Sequence, residues 1–130
     1  MDTHAAAQAW IEGWRRGWAD RDADAIGALY AANSLYLSHP FREPETSARE
    51  YALRAFADEE LIEARFDDPI VHGDRAAIEY WALLNEAGEL MTLAGVSLLR
   101  FDGEGLVVEH RDFWAMAEGH QDPPAAMEGS

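Results

Sequence analysis

The chain has 130 residues, 48% of them hydrophobic, with no cysteine and a formal net charge of −15. That length suits one domain with one packed core, and the missing thiol removes disulfides, thiol nucleophiles and thiolate metal sites. All 10 basic residues are arginine against 25 acidic ones, so nucleic acid and anionic membrane are not expected partners.

No apolar run approaches the roughly 18 residues of a membrane span. Met1–His4 lacks the basic and then apolar start of an export signal, which makes the cytoplasm the expected location. In chain order, Trp10, Trp14 and Trp18 recur every four residues with Ile11 beside them, which predicts an amphipathic helix over 3–20. Asp22 is placed to cap a second helix, Ala23–Ala32, with Ile26, Leu29 and Tyr30 turned inward. Leu35–His39 reads as a strand stopped by Pro40, and residues 41–45 as a loop. Thr46 or Ser47 then caps a third helix reaching about Glu60, with Tyr51, Leu53, Ala55 and Phe56 on its apolar face.

The second half alternates like β structure. Strands are predicted over 61–72 with a break near Asp67-Asp68-Pro69, then over 75–85, 89–101 and 106–116. Gly73-Asp74, Ala87-Gly88 and Asp102-Gly103-Glu104-Gly105 supply the turns. Residues 118–130 contain Pro123-Pro124 and small residues, and are expected to be a flexible tail beyond a single domain, 1–117. Helices first and an antiparallel meander after them define an α+β domain.

The last strand carries the clearest chemical signal. Residues two apart in a strand share a face, so His110, Asp112 and Trp114 lie together, opposite Glu109, Arg111 and Phe113. A carboxylate among aromatics is a candidate base for removing a proton next to a carbonyl, because burial raises a carboxyl's affinity for protons. The competing reading is an ion pair of Asp112 with Arg54, Arg100 or Arg111. His39, at a strand end, is a second acid–base candidate. His110 either joins the pocket or packs against the first helix. His39, His110 and Asp112 make a conceivable metal set, but no HxH or HxxxH spacing supports it, so neither a metal nor a cofactor is expected. Parity leaves open whether Glu79 and Trp81, or Ile78 and Tyr80, face inward, since one bulge inverts it.

The element order, with Ala28-Leu29-Tyr30-Ala31, Ser38-His39-Pro40, Gly73-Asp74-Arg75-Ala76, Arg100-Phe101-Asp102-Gly103 and Val108-Glu109-His110-Arg111-Asp112, resembles the nuclear transport factor 2-like superfamily. Within it, the closing motif is most similar to the SnoaL-like, polyketide cyclase-type group. The resemblance implies a cone-shaped α+β barrel, with three N-terminal helices packed in a strongly curved antiparallel sheet. It implies a ligand pocket at the mouth of the cone and a homodimer paired through the outer sheet face. It makes Asp112 the general base, assisted by His39 and His110, with Trp114 in the pocket wall. Compared with the ketosteroid isomerases of this fold, His39 stands where their base does. Trp14 and Ser97 stand where their tyrosine and protonated aspartic acid donors do. Tyr30 matches a pocket tyrosine and Phe56 replaces another. The implied function is a cofactor-independent isomerase, aldol-type cyclase or hydratase/dehydratase acting on a small apolar carbonyl compound. The alternative is a dimeric module that binds a ligand without transforming it.

Overall fold

In the computed structural model, which describes residues 1–127, helix α1 spans Thr3–Asp20, as the tryptophan spacing predicts. Asp2 caps it by accepting the Ala5 N–H at 2.8 Å. Arg21 ends it in the left-handed region, φ 55°, donating its N–H to the Gly17 and Trp18 carbonyls.

Helix α2 covers only Ala23–Gly27, short of the predicted Ala32. The reason lies at the far end of the chain. The Val107 N–H donates to the Leu29 carbonyl at 3.0 Å, and Tyr30 pairs with Val107. Backbone pairing with the last strand thus takes residues that helix propensity alone would keep. Strand β1, Tyr30–Leu37, follows at once, and Ser38 and His39 fall in the turn after it rather than in the strand.

Helix α3, Ala48–Asp58, is capped by the Ser47 hydroxyl, which accepts the Glu50 N–H at 3.1 Å. Ala48, Ala52 and Phe56, four residues apart, form its buried stripe. Leu53 was expected inward but is 46% exposed, because it sits about 100° round the helix from Ala52.

Strands β2, Glu59–Phe66, and β3, Ile70–His72, are separated at the predicted Asp67-Asp68-Pro69 break. The long strands are β4, Arg75–Glu86, β5, Glu89–Phe101, and β6, Val107–Glu118. They form a curved, unclosed sheet in the order β1-β6-β5-β4-β2, with β3 also on β4. Every pairing is antiparallel except one: β1 runs parallel to β6.

The helices lie on the inner face. There, Ile78, Tyr80, Ala82 and Leu84 of β4 are buried while Glu79 is exposed, which settles the parity that the sequence left open. The outer face exposes Val96 (37%) and Phe113 (43%), which pair across β5 and β6. The segment after β6 is tied to this outer face, against the expectation of a flexible tail. The Thr92 hydroxyl donates to the Gly119 carbonyl at 2.7 Å and accepts the Gln121 N–H at 2.9 Å. The Trp81 indole donates to the Gln121 carbonyl at 2.8 Å, and Met127 is 1% exposed. The predicted tail residues 128–130 lie outside the described residues. Among the described residues, no helix is long and apolar enough to cross a membrane.

Helix α2 is held by Ile26, which is 0% exposed and fills the slot left by Gly17 of α1, where a Cβ would come within 2.6 Å of Ile26 Cδ1. Ile26→Ala removes that filling from a site with little room to collapse. It is expected to cost about 2–5 kcal/mol, read as a lower urea midpoint with an unchanged slope.

Candidate active site

Three elements converge on one oxygen. The indoles of Trp10 and Trp14, one helical turn apart on α1, donate to the Tyr30 hydroxyl at 3.1 and 3.0 Å. An indole only donates, so both Tyr30 acceptor positions are taken. The phenol proton then points along its remaining contact, to His110 Nδ1 at 2.7 Å. That nitrogen must be the acceptor, so the donor–acceptor count assigns the His110 proton to Nε2. From there it is donated to Asp112 Oδ1 at 2.8 Å. Ser97, opposite Asp112 in the β5–β6 register, donates to the same oxygen at 2.5 Å. Asp112 Oδ2 takes no hydrogen bond from any described residue.

The resulting relay is almost wholly buried: His110 is 1%, Ser97 2%, Tyr30 8% and Asp112 9% exposed. The imidazole stacks on Tyr36 at 4.2 Å and meets Trp10 edge-on at 5.6 Å between ring centroids. Burial pushes the Tyr30 phenol far above its ordinary pKa, while the two indole donors pull it down. The phenol therefore stays a neutral donor toward His110.

Asp112 lines a cavity of about 340 Å³ between the helices and the sheet. His110, Ser97, Trp14, Phe56 and Trp114 line it too. Trp114 is fixed by donating its N–H to the Ser38 carbonyl at 2.6 Å, with the Arg42 guanidinium 5.2 Å from its ring centre. Two predicted residues lie elsewhere. Tyr30 is outside the lining, and its hydroxyl is taken up in the relay. His39 is also outside it, packing edge-on against Trp114 at 4.8 Å and accepting a long 3.4 Å contact from the Phe41 N–H. His39 and Asp112 therefore do not converge on one reacting atom. The arginine alternatives for Asp112 are answered as well: Arg54 pairs with Glu45, Arg100 with Asp74 and Arg111 with Glu109. Among the described residues, no group of three or more His, Asp or Glu is placed to hold a metal ion.

The sequence reading missed the other end of the cavity. Glu59, at the α3–β2 junction, accepts the Trp18 indole N–H at 3.0 Å and lines the cavity with Glu86, its partner in the β2–β4 ladder. Burial raises the Glu59 carboxyl to about 7; the Trp18 donor opposes this, and the charges of Glu86 and Asp58 add to it. Tyr36, Tyr51 and Tyr80 line the cavity as well. Inward parity and four-residue spacing from α3 could have found Tyr80 and Tyr51, had the register of β4 been known.

With this geometry in place, comparison with known proteins identifies the class. The SnoaL-like domain model matches residues 8–110, and the chain belongs to that family, within the nuclear transport factor 2-like superfamily. Solved structures share the fold at low identity. The epoxide hydrolase/cyclase-like enzyme SalBIII, of pyran ring formation in salinomycin, is 16% identical with a TM-score of 0.74, covering 91% of this chain and 98% of its own. An LEH-like epoxide hydrolase from M. tuberculosis is 14% identical with a TM-score of 0.70, covering 88% and 86%. A hypothetical protein with a ketosteroid isomerase-like fold from Catenulispora acidiphila, in complex with trimethylamine, is 20% identical with a TM-score of 0.71, covering 82% and 85%. No curated protein matches the chain.

Two outcomes follow. Tyr30→Phe strands two indole N–H groups and His110 Nδ1 in a buried site, each worth about 1–3 kcal/mol. It is expected to destabilise the fold by at least about 2 kcal/mol in urea unfolding. Glu59, with its carboxyl near 7 when folded and 4.5 ordinarily, binds more protons folded than unfolded between those values. Stability from this group is full below 4.5 and is lost as the pH rises to about 7. Glu59→Gln keeps the acceptor for Trp18, and it should flatten that decline and raise Tm at pH 8 more than at pH 4.5, measured by thermal denaturation.

Proposed function

We propose that this chain is a small-molecule enzyme that works by acid–base chemistry without a cofactor, on an apolar ligand bearing a carbonyl group. The reaction classes that fit are isomerisation, aldol-type cyclisation and hydration or dehydration. One observation carries the reading: Asp112 has one carboxylate oxygen anchored by His110 and Ser97, and the other unpartnered in an aromatic cavity. Anchoring fixes the direction of attack, and the free Oδ2 takes a proton from carbon or from water.

His110 and Ser97 are positioning residues in this scheme, and Tyr30 sets the His110 tautomer that lets it donate to the carboxylate. Trp14, Phe56 and Trp114 bound the ligand's apolar surface. His39 acts at one remove, by packing against Trp114. The fold relatives named as an epoxide hydrolase and an epoxide hydrolase/cyclase-like enzyme support small-molecule chemistry in this cavity, without fixing the reaction. The exposed apolar strip at Val96 and Phe113 supports pairing of two copies through the outer sheet face.

A second reading has its own support. Indole and phenol faces beside the Asp112 and Glu59 carboxylates suit a small organic cation, and one fold relative holds trimethylamine. A module that merely binds such a ligand would not need an oriented Oδ2.

Asp112→Asn separates the two. On a carbonyl compound turned over by the unaltered protein, kcat should fall by about 10²–10⁴ with little change in KM. If no compound in a broad carbonyl panel is turned over, while native mass spectrometry finds an unaltered amine in the cavity, the binding module is the right description.

A further inference from the structure

The positions that would match the isomerase oxygen-binding donors are spent: Trp14 donates to Tyr30, and Ser97 donates to Asp112. Other phenols are not. Tyr36 and Tyr80 are 1% and 6% exposed, and Tyr51 is partly buried. All three line the cavity, and none of their hydroxyls makes a hydrogen bond to any described residue. None is sealed off in the packing either, for the one fully buried side-chain polar atom without a hydrogen bond among the described residues is Arg111 Nε, which faces Glu109 in an ion pair. The three phenols therefore border the space that Asp112 faces with hydroxyls that no described residue engages.

Gly95 shows that the position of one of them is built. It sits mid-strand in β5, directly opposite Tyr80. A Cβ there would lie 2.8 Å from the Tyr80 hydroxyl, 2.7 Å from Trp114 Cβ and 2.6 Å from the Phe113 carbonyl. A strand-interior glycine weakens the sheet. Its absent side chain lets the Tyr80 phenol reach across β5 to β6, the strand that carries Asp112. Tyr51 reaches the same space from α3, and Tyr36, stacked 4.2 Å from the His110 ring, from β1. Burial raises all three phenols, and the Asp112 charge is the next largest cause for each. They are protonated donors, and they lie within the field of that carboxylate.

We infer that Tyr80 and Tyr51, backed by Tyr36, form the site that holds the ligand's carbonyl oxygen and stabilises the enolate formed when Asp112 removes a neighbouring proton. The inference rests on the acid–base reading of Asp112 and assigns what that reading lacked. The step balances within the ligand and one carboxyl group. Asp112 Oδ2 gains the proton from carbon, the C–H electron pair forms the new C=C bond, and the carbonyl π pair moves onto oxygen. The phenol O–H groups donate to that oxygen, and Asp112 returns the proton to carbon at the end. Such donors act because they are pre-aimed in a dry site.

The test needs no natural substrate. 4-Nitrophenolate carries its charge on an oxygen attached to a planar π system, as an enolate does, and its absorbance reports ionisation. In the full-length Asp112→Asn protein, whose neutral side chain stands in for the protonated base, the anion should bind with a titratable Kd. Adding Tyr80→Phe or Tyr51→Phe should weaken it about tenfold or more, as loss of a hydrogen bond to a charged group does. Each phenylalanine variant should keep or raise Tm, because the deleted hydroxyl has no protein partner to lose. If Asp112→Asn does not bind the anion, or if both phenylalanine variants bind it within twofold of their parent, the donor assignment is wrong. A fall in Tm together with affinity would also overturn it, by making the hydroxyls structural. None of these outcomes bears on Asp112 as the base, which is read from turnover in the otherwise unaltered protein.

Discussion

Two indole N–H groups meeting on one phenol oxygen set the polarity of the whole site. Because Trp10 and Trp14 fill both acceptor positions of Tyr30, its proton must go to His110, and the imidazole must then donate to Asp112. Helix α1, the start of β1 and the middle of β6 are locked together by the same set of bonds. The direction of every proton in it follows from groups that have only one role each. A neutral network of this kind orients a carboxylate without a paired cation, which would hold it by charge and compete with a ligand for it. The arginines near the cavity are accordingly engaged elsewhere, Arg54 with Glu45 and Arg42 with the Ser38 hydroxyl.

The cavity has two unlike ends. At one, Asp112 is held by directional donors. At the other, Glu59 sits beside Trp18 and across from Glu86, and burial with neighbouring negative charge keeps its carboxyl half-protonated near neutrality. Tyr51 and Tyr80 line the same cavity as both carboxylates, and both negative charges add to the burial that raises their phenols. Most of the net charge of −15 is on the surface, where it favours solubility. Asp112 and Glu59 are acidic groups that the fold has largely taken out of water.

The sequence exposed local regularities and hid what depends on distant partners. Four-residue tryptophan spacing predicts α1 to its last residue, and two-residue alternation places His110, Asp112 and Trp114 on one inward face of β6. The second helix is overestimated because Leu29 and Tyr30 are claimed by Val107, a residue far along the chain. Glu79 against Tyr80 cannot be decided from β4 alone, since the answer lies in its pairing with β5. His39 has the right chemistry at the expected strand end, but Trp114 occupies the place beside it. The segment after β6 has the composition of a tail, and only the Thr92 and Trp81 side chains reveal that it is docked. In each case the missing information was a partner, not a propensity.

The lone parallel pairing has a consequence for how the molecule is made. Among the described residues, strand β1 hydrogen-bonds to no strand but β6, whose residues follow it by more than seventy positions, as in Tyr36 with His110. During synthesis, β1 emerges long before its mate and stays an open edge until β6 leaves the ribosome. Closing so large a loop carries an entropic cost before any contact repays it, and folds dominated by such long-range closure are slow. The arrangement around Asp112 therefore forms only when β6 joins β1, and a product truncated before β6 has neither the sheet edge covered nor the carboxylate in place.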